Sequence, residues 1–270
     1  MILVIDSGNS RIKLGVWDIQ GGTGQALGVT TVAKEDLDGA QRWLSAFSEP
    51  ISKVWGVNVA GASQQQNIER MMAARGLVVQ WAHAQVRTGW LRNGYQQPSQ
   101  LGADRWASMV GVIARYRSPG VPFVLASFGT ATTIDIVDQE GLFRGGVILP
   151  GPALMRHSLC SGTANLPLTT SSATSFATDT HTAIASGIAA AQAGAFVRQC
   201  LLARQACSRH PAMYVSGGGW TDVESETRRL VADLLPDHDA VCNPIEFLNN
   251  PVLDGLVFMA RQSQTEDPQP

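Results

Sequence analysis

The residues 5–13, Ile5-Asp6-Ser7-Gly8-Asn9-Ser10-Arg11-Ile12-Lys13, combine types and spacings that suit chemistry. An apolar run ends in a carboxylate, a glycine turn follows, and a second apolar run returns carrying a lysine. Such a turn directs backbone N–H groups and a carboxylate into one space. Phosphate with magnesium needs that pairing. The donors cradle anionic oxygens, Asp6 positions the hydrated metal, and Lys13 offsets charge as phosphate is transferred. The same residues also suit a plain hairpin turn with solvated ends. Ser127-Phe128-Gly129-Thr130-Ala131-Thr132-Thr133 repeats the shape later in the chain, which favours a duplicated domain with phosphates held between its halves.

Gly102-Ala103-Asp104-Arg105-Trp106 forms a second constellation. Asp104 is a candidate general base for a substrate hydroxyl, and Arg105 offers a planar fork to a carboxylate or phosphate. Taken alone, the pair is explained better by a helix-capping Asp beside a solvated Arg. Gly217-Gly218-Gly219 permits close backbone approach to a ligand, or simply turns a strand into a helix.

These residues need elements to hold them. Strand-like runs at 1–6, 11–17 and 26–33 form an opening meander, with a Gly-rich turn at 21–24. Helix, strand, helix and strand follow at 36–47, 54–59, 63–75 and 77–81, the alternation of an α/β domain. Trp106, Met109, Val110 and Ile113 share one face of a helix over 102–117, which puts Asp104 near its N-terminus. The chain restarts with strands at 123–126 and 132–137 and a third through 148. A long Ala-rich helix over 180–205 carries Ala185, Gly187, Ala191 and Gly194, suited to close packing against a helix or a second subunit. A strand at 214–215 and two helices flanking a short strand near Val241 complete the pattern. The expected units are 1–120 and 121–262, with a disordered tail at 263–270.

Composition removes several function classes. With 44% hydrophobic and 16% charged residues the chain is too apolar for disorder. A net charge of −2 leaves no excess to drive binding to a phosphate polymer, so nucleic acid is not an expected partner. Cys160, Cys200, Cys207 and Cys242 are scattered without a CxxC, which fits a reduced, cytoplasmic setting. No apolar run spans a bilayer, so no membrane association is expected. No GxxxxGK[ST], GxSxG or HExxH occurs, and Gly22-Thr23-Gly24 has no strand-to-helix context. The five histidines are dispersed and receive no role.

Together the motifs resemble the type III pantothenate kinases, which include the Bvg accessory factor proteins and belong to the acetate and sugar kinase, Hsp70 and actin superfamily. The resemblance rests on Asp6-Ser7-Gly8-Asn9 with Lys13, Asn93-Gly94-Tyr95, Gly102 to Trp106 and Gly129-Thr130-Ala131-Thr132-Thr133-Ile134-Asp135. It continues through Gly145-Gly146, Pro150-Gly151, Thr180, Ser186-Gly187 and Ser216-Gly217-Gly218. It implies an α/β fold of duplicated actin-like, ribonuclease H-like domains with a nucleotide cleft between them. It also implies a homodimer that phosphorylates pantothenate with ATP and magnesium, the first step toward coenzyme A. Asp6, Ser7, Gly8, Asn9, Ser10, Arg11, Ile12, Lys13 and Thr130 would bind ATP, with Asp6 acting on Mg2+. Tyr95, Gly102, Ala103, Asp104, Arg105 and Thr180 would hold pantothenate, with Asp104 as base. The family usually has Asp where this chain has Ser127, the expected ligand of a potassium or ammonium ion, and a neutral hydroxyl is a weaker ligand.

A transcription-linked regulator is the other reading. It would need a helix-turn-helix over 57–75 with Lys53, Arg70 and Arg75 nearby. That segment reads more naturally as a buried strand and a surface helix.

Overall fold

The computed structural model describes residues 1–19, 24–116, 120–207, 209–235 and 244–265, which divide into two units. The first begins with the meander β1 (Ile2–Ser7), β2 (Arg11–Asp18) and β3 (Gln25–Ala33). Helix α1 (Leu37–Leu44), β4 (Lys53–Asn58), α2 (Ala62–Ala73) and β5 (Val79–Trp81) follow. The short hairpin β6 (Arg87–Thr88) and β7 (Leu91–Asn93) then leads to α3 (Ala103–Tyr116). The five-stranded sheet runs β3-β2-β1-β4-β5, with β1 antiparallel to β2 and parallel to β4.

Alternation along β1 divides its side chains between two layers. Leu3 and Ile5 join Ile12, Leu14, Ala40, Leu44, Ile68 and Met72 in a core under α1 and α2. Ile2, Val4 and Asp6 face the other way. Asp36 starts α1 by accepting the Gly39 N–H at 2.8 Å, a side-chain cap. Residues 57–75 hold the end of β4 and then α2, with no first helix of a helix-turn-helix.

The second unit repeats the plan. It contains β8 (Phe123–Phe128), β9 (Ala131–Val137), β10 (Leu142–Pro150), α4 (Pro152–Gly162), α5 (Thr180–Ala206), β11 (Ala212–Ser216), α6 (Trp220–Leu234) and β12 (Ile245–Phe247). These strands run β12-β11-β8-β9-β10, the order and directions of the first sheet. Val124, Ala126, Phe128, Ile134 and Ile136 pack with α5 and α6 residues such as Phe196, Cys200, Trp220 and Val223.

Three expectations change. The last helix, α7 (Pro251–Thr265), belongs to the first unit and not to the second. It crosses α3 so closely that a Cβ at Gly111 would overlap the Pro251 carbonyl, and one at Gly255 the Ala107 carbonyl. Residues 263–265, expected in the tail, continue α7, while 266–270 lie outside the described residues. The short strand expected near Val241 is found at 245–247, Val241 and most of the 21–24 turn lying outside the described residues.

Helix α4 answers to no sequence expectation, although Pro150-Gly151-Pro152 gives the signal. Pro at the first helical position costs no hydrogen bond and presets φ. None of the described helices is long and apolar enough to cross a membrane.

Candidate active site

The first turn closes β1 onto β2 with the Gly8 N–H donating to the Arg11 carbonyl at 3.0 Å. Asp6 and Lys13 are directly opposed across the pair, so their side chains share a face. Burial pushes the Asp6 carboxyl up to about 6, an effect Lys13 opposes and Asp104 reinforces. Asp6 keeps part of its surface open to solvent, and Asn9, Ser10 and Arg11 are exposed. Ser7 and Ile12 differ from them. Both lie fully buried on the opposite face, within strands paired on either side, so their side chains do not reach a ligand on the Asp6 face. Among the described residues the Ser7 hydroxyl has no hydrogen-bond partner, and the Ser7 carbonyl accepts the Val59 N–H at 2.9 Å.

Asp104 occupies the first turn of α3. Its Oδ1 accepts the Arg105 N–H at 2.8 Å, a local turn bond that also suits a helix start. Burial raises its pKa, while that N–H and the Arg105 charge pull it down. The Asp104 carboxylate therefore disfavours ionisation of Asp6 in a partly desolvated space. The Arg105 side chain is buried and donates from Nη1 to the Tyr95 hydroxyl at 3.0 Å. Its guanidinium carbon lies 5.9 Å from the Tyr95 ring centroid. Asn93 shapes the approach, accepting the Tyr95 N–H at 3.0 Å and donating to the Pro98 carbonyl at 3.3 Å. Trp106 anchors the start of α3 through its indole N–H to Thr88 Oγ1 at 3.2 Å. The structure thus groups Asp6, Lys13, Tyr95, Gly102, Ala103, Asp104 and Arg105 in the first unit.

The second turn is built of backbone. Gly129 N–H donates to the Ala131 carbonyl at 3.1 Å, the Gly151 N–H to the Thr130 carbonyl at 2.9 Å, and the Gly219 N–H to the Phe128 carbonyl at 2.9 Å. A Cβ at Gly151 would overlap the Gly129 carbonyl oxygen, and one at Gly217, whose φ is +95°, would overlap the Phe128 backbone. Only glycine fits such approaches. Thr130 is exposed at the tip. Ser127 stands between Ser216 and Thr133 in register, giving a row of three hydroxyls.

Comparison with known proteins decides the family. The family model for the type III pantothenate kinases matches residues 2–201. A type III pantothenate kinase of Bordetella petrii is 50% identical over 271 residues, covering 100% of this chain and 99% of the relative. This chain belongs to the type III pantothenate kinase family. Among solved structures, a Campylobacter jejuni protein described as a candidate Baf family transcriptional activator superposes with a TM-score of 0.55 at 19% identity. That match covers 97% of this chain and 99% of the other. A Listeria monocytogenes protein described as a candidate N-acetylmannosamine kinase gives 0.52 at 13% identity, covering 97% and 99%. These two likenesses support the fold alone, the two-domain actin-like α/β fold that sugar kinases share.

A pantothenate kinase family implies ATP with magnesium, and the first turn suits both. A desolvated carboxylate raised to about 6 beside a lysine is a group that a dication would hold ionised. One or two carboxylates with waters and phosphate oxygens is the ligand set magnesium prefers. Thr180 belongs to the second unit, exposed at the start of α5, whose cap is Asp179. It lines a cavity of about 750 Å³ with apolar walls that include Met155, Leu159, Ile184 and Ile188. Asp135 lies on the same face of β9 as Thr133 and is fully buried. An acid therefore shares the sheet face of Ser127. Asn93 and Gly151, both within the motifs of the resemblance, act here through contacts to backbone, Asn93 on the Tyr95 loop and Gly151 on the second turn.

Proposed function

We propose that this chain transfers the γ-phosphoryl group of ATP to the primary hydroxyl of pantothenate, giving 4′-phosphopantothenate. The observation that carries the reading is the meeting of Asp6, Lys13, Asp104, Arg105 and Tyr95 within one unit, in a chain of this family. Asp104 accepts the proton of the attacking hydroxyl, and partial burial with an upward-shifted pKa makes it a better base than an exposed carboxylate. Arg105, held by Tyr95, supplies a preformed fork for the pantothenate carboxylate. Gly102 and Ala103 lend backbone at the same edge, and the Thr180 hydroxyl is a further pantothenate contact in this reading. The exposed turn at 9–11, which the Gly8 N–H holds closed, and the Thr130 tip meet ATP phosphates, and Lys13 neutralises charge on the transferring group. Magnesium, when bound, screens the phosphate oxygens, with Asp6 acting on it through its waters.

A homodimer and a monovalent cation complete the proposal. Gly187, Ala191 and Gly194 form an exposed stripe of small residues on α5, with open space beyond both glycines, a surface where a second copy can approach closely. Ala185 is buried within the chain and is not part of it. The apolar face of α3 is also excluded, because Trp106, Met109, Val110 and Ile113 are already buried within the chain. Light scattering at micromolar concentration tests the dimer, and a monomer would refute it.

The activity is tested by ADP release coupled to a dye reaction, with pantothenate, ATP and magnesium present. Turnover that needs both substrates and yields 4′-phosphopantothenate by mass supports the reading. ADP release indifferent to pantothenate would overturn it.

A further inference from the structure

Gln192 is a polar residue buried to 0% exposure in the middle of α5, among alanines and apolar side chains. Its Nε2 donates to the Pro150 carbonyl at 2.7 Å and lies 3.1 Å from the Met155 sulfur. Burying an amide is costly unless it is hydrogen-bonded, so its position calls for a reason. Pro150 is the last residue of β10 and pairs with Ala131, the first residue of β9. The next residue, Gly151, donates to the Thr130 carbonyl, and its own carbonyl accepts the Met155 N–H at 2.9 Å in the first turn of α4. Pro150 therefore sits where a strand gives way to a helix, and neither element uses its carbonyl in the bonds just described. Gln192 takes that carbonyl from a third element.

We infer that Gln192 is a positioning residue for the second turn, fixing through Pro150 and Gly151 the backbone of Gly129 and Thr130 that meets ATP. The inference rests on the reading that this turn contacts ATP. The path is short: the Gln192 side-chain hydrogen bond to Pro150, the peptide bond to Gly151, and the Gly151 backbone hydrogen bond to Thr130. Gly151 has no slack: a Cβ there would overlap the Gly129 and Thr130 carbonyl oxygens. A shift of Pro150 is therefore transmitted to the turn and not absorbed by a gap. Catalytic backbone held to within a fraction of an ångström depends on such supporting bonds. Among the described residues the Gln192 Oε1 has no hydrogen-bond partner, so what this buried amide contributes comes through its Nε2.

Gln192→Leu keeps the volume and removes the donor. The expected result is a KM for ATP raised about five- to twentyfold, with the KM for pantothenate within about twofold and the melting temperature nearly unchanged. Gln192→Met, as long as Gln and able to keep the contact with Met155, should give the same split and serves if the leucine variant does not fold. Gly151→Ala, which pushes on the turn directly, is the control. If Gly151→Ala leaves the KM for ATP unchanged, the reading of the second turn fails and the inference with it. If Gly151→Ala raises that KM while a folded Gln192 variant keeps the parental value, the role of Gln192 alone is overturned. Equal increases in both KM values with a falling melting temperature would also overturn it, because that is general loosening.

Discussion

The two units share a sheet and differ in the row of residues next to the turn. In the first, Val57, Asp6 and Lys13 stand side by side on β4, β1 and β2. In the second, Ser216, Ser127 and Thr133 occupy the corresponding places on β11, β8 and β9. One row carries an opposed pair of charges and the other carries hydroxyls. The turns differ in the same sense. The first has exposed Asn9, Ser10 and Arg11, whereas the second is gripped by Gly151 and Gly219 N–H groups and by the close approach of Gly217. A duplicated frame thus separates two tasks. One copy supplies titratable groups and the other a rigid backbone mould, so substitutions in the two copies should have effects of different kinds.

The largest effect is expected at the proposed base in the charged unit. Asp104→Asn keeps the shape and the Arg105 N–H contact but cannot take a proton. Turnover should fall about a hundredfold to ten-thousandfold, with the dissociation constant for ATP within about threefold. Single-turnover kinetics with calorimetry checks both, and turnover close to the parent would remove Asp104 from the role.

Asp6→Asn should act next most strongly, on use of magnesium-ATP more than on pantothenate. It also has a stability signature. The native carboxyl sits near 6 against an ordinary value of 3.8, so the folded protein binds this proton more tightly than the unfolded chain. The stability that comes from holding it is fully present below about pH 4 and is lost as pH rises through 6. At pH 7.5 the ionised carboxylate therefore costs at most about 3 kcal/mol, since its solvent-facing side is screened. Asp6→Asn should melt higher than the parent at pH 7.5 and nearly equal to it at pH 4. An Asn variant no more stable at pH 7.5 than at pH 4, relative to the parent, would show that the carboxylate is not desolvated.

Tyr95→Phe removes one hydrogen bond to a buried guanidinium while keeping the ring beside it. The KM for pantothenate should rise about three- to thirtyfold, the range for a bond to a charged group with some repair by water, with the KM for ATP unchanged. Equal rises in both would mean that Tyr95 supports the unit as a whole.

The duplicated meander was legible in the sequence because β-branched and aliphatic runs broken by Gly turns are local signals, and so was the helix that carries Asp104. The placement of α7 was not. Its partner α3 lies some 140 residues earlier, and the Gly111 and Gly255 contacts that join them leave no trace in either segment alone. Asp6, Lys13, Asp104 and Arg105 were legible as candidates, and the structure brings them into one unit, but Ser7 and Ile12 entered the same motif although alternation turns their side chains into the core. Gln192 was hidden for the opposite reason. One amide in an Ala-rich helix looks like a solvated position until the carbonyl of Pro150 is seen above it.

The smallest effect, and the sharpest test of the comparison, comes from Ser127→Asp, which gives the second row the carboxylate of the first. Ser127 is only partly buried, so an introduced carboxylate can remain ionised, and the Ser216 and Thr133 hydroxyls beside it can donate to it. An ionised oxygen attracts a monovalent cation in a partly desolvated place far more than a hydroxyl dipole does. The parent should respond weakly to potassium or ammonium, by about threefold or less, and Ser127→Asp should respond more steeply. Asp135 provides the competing explanation. It lies on the same sheet face, two residues along β9 from Thr133, and its charge could already serve a cation there. Turnover is measured for parent, Ser127→Asp and Asp135→Asn across a potassium titration at constant ionic strength, with sodium or a bulky organic cation as the replacement. Strong, saturable activation of the parent that disappears in Asp135→Asn would show that the acid on β9 has taken over the charge that the Ser127 position lacks. Strong activation in both would show that neither side chain decides the matter. A weak parent and a responsive Ser127→Asp would establish that one carboxylate, placed at the same point of the same frame, is what distinguishes a cation-binding row from a hydroxyl row.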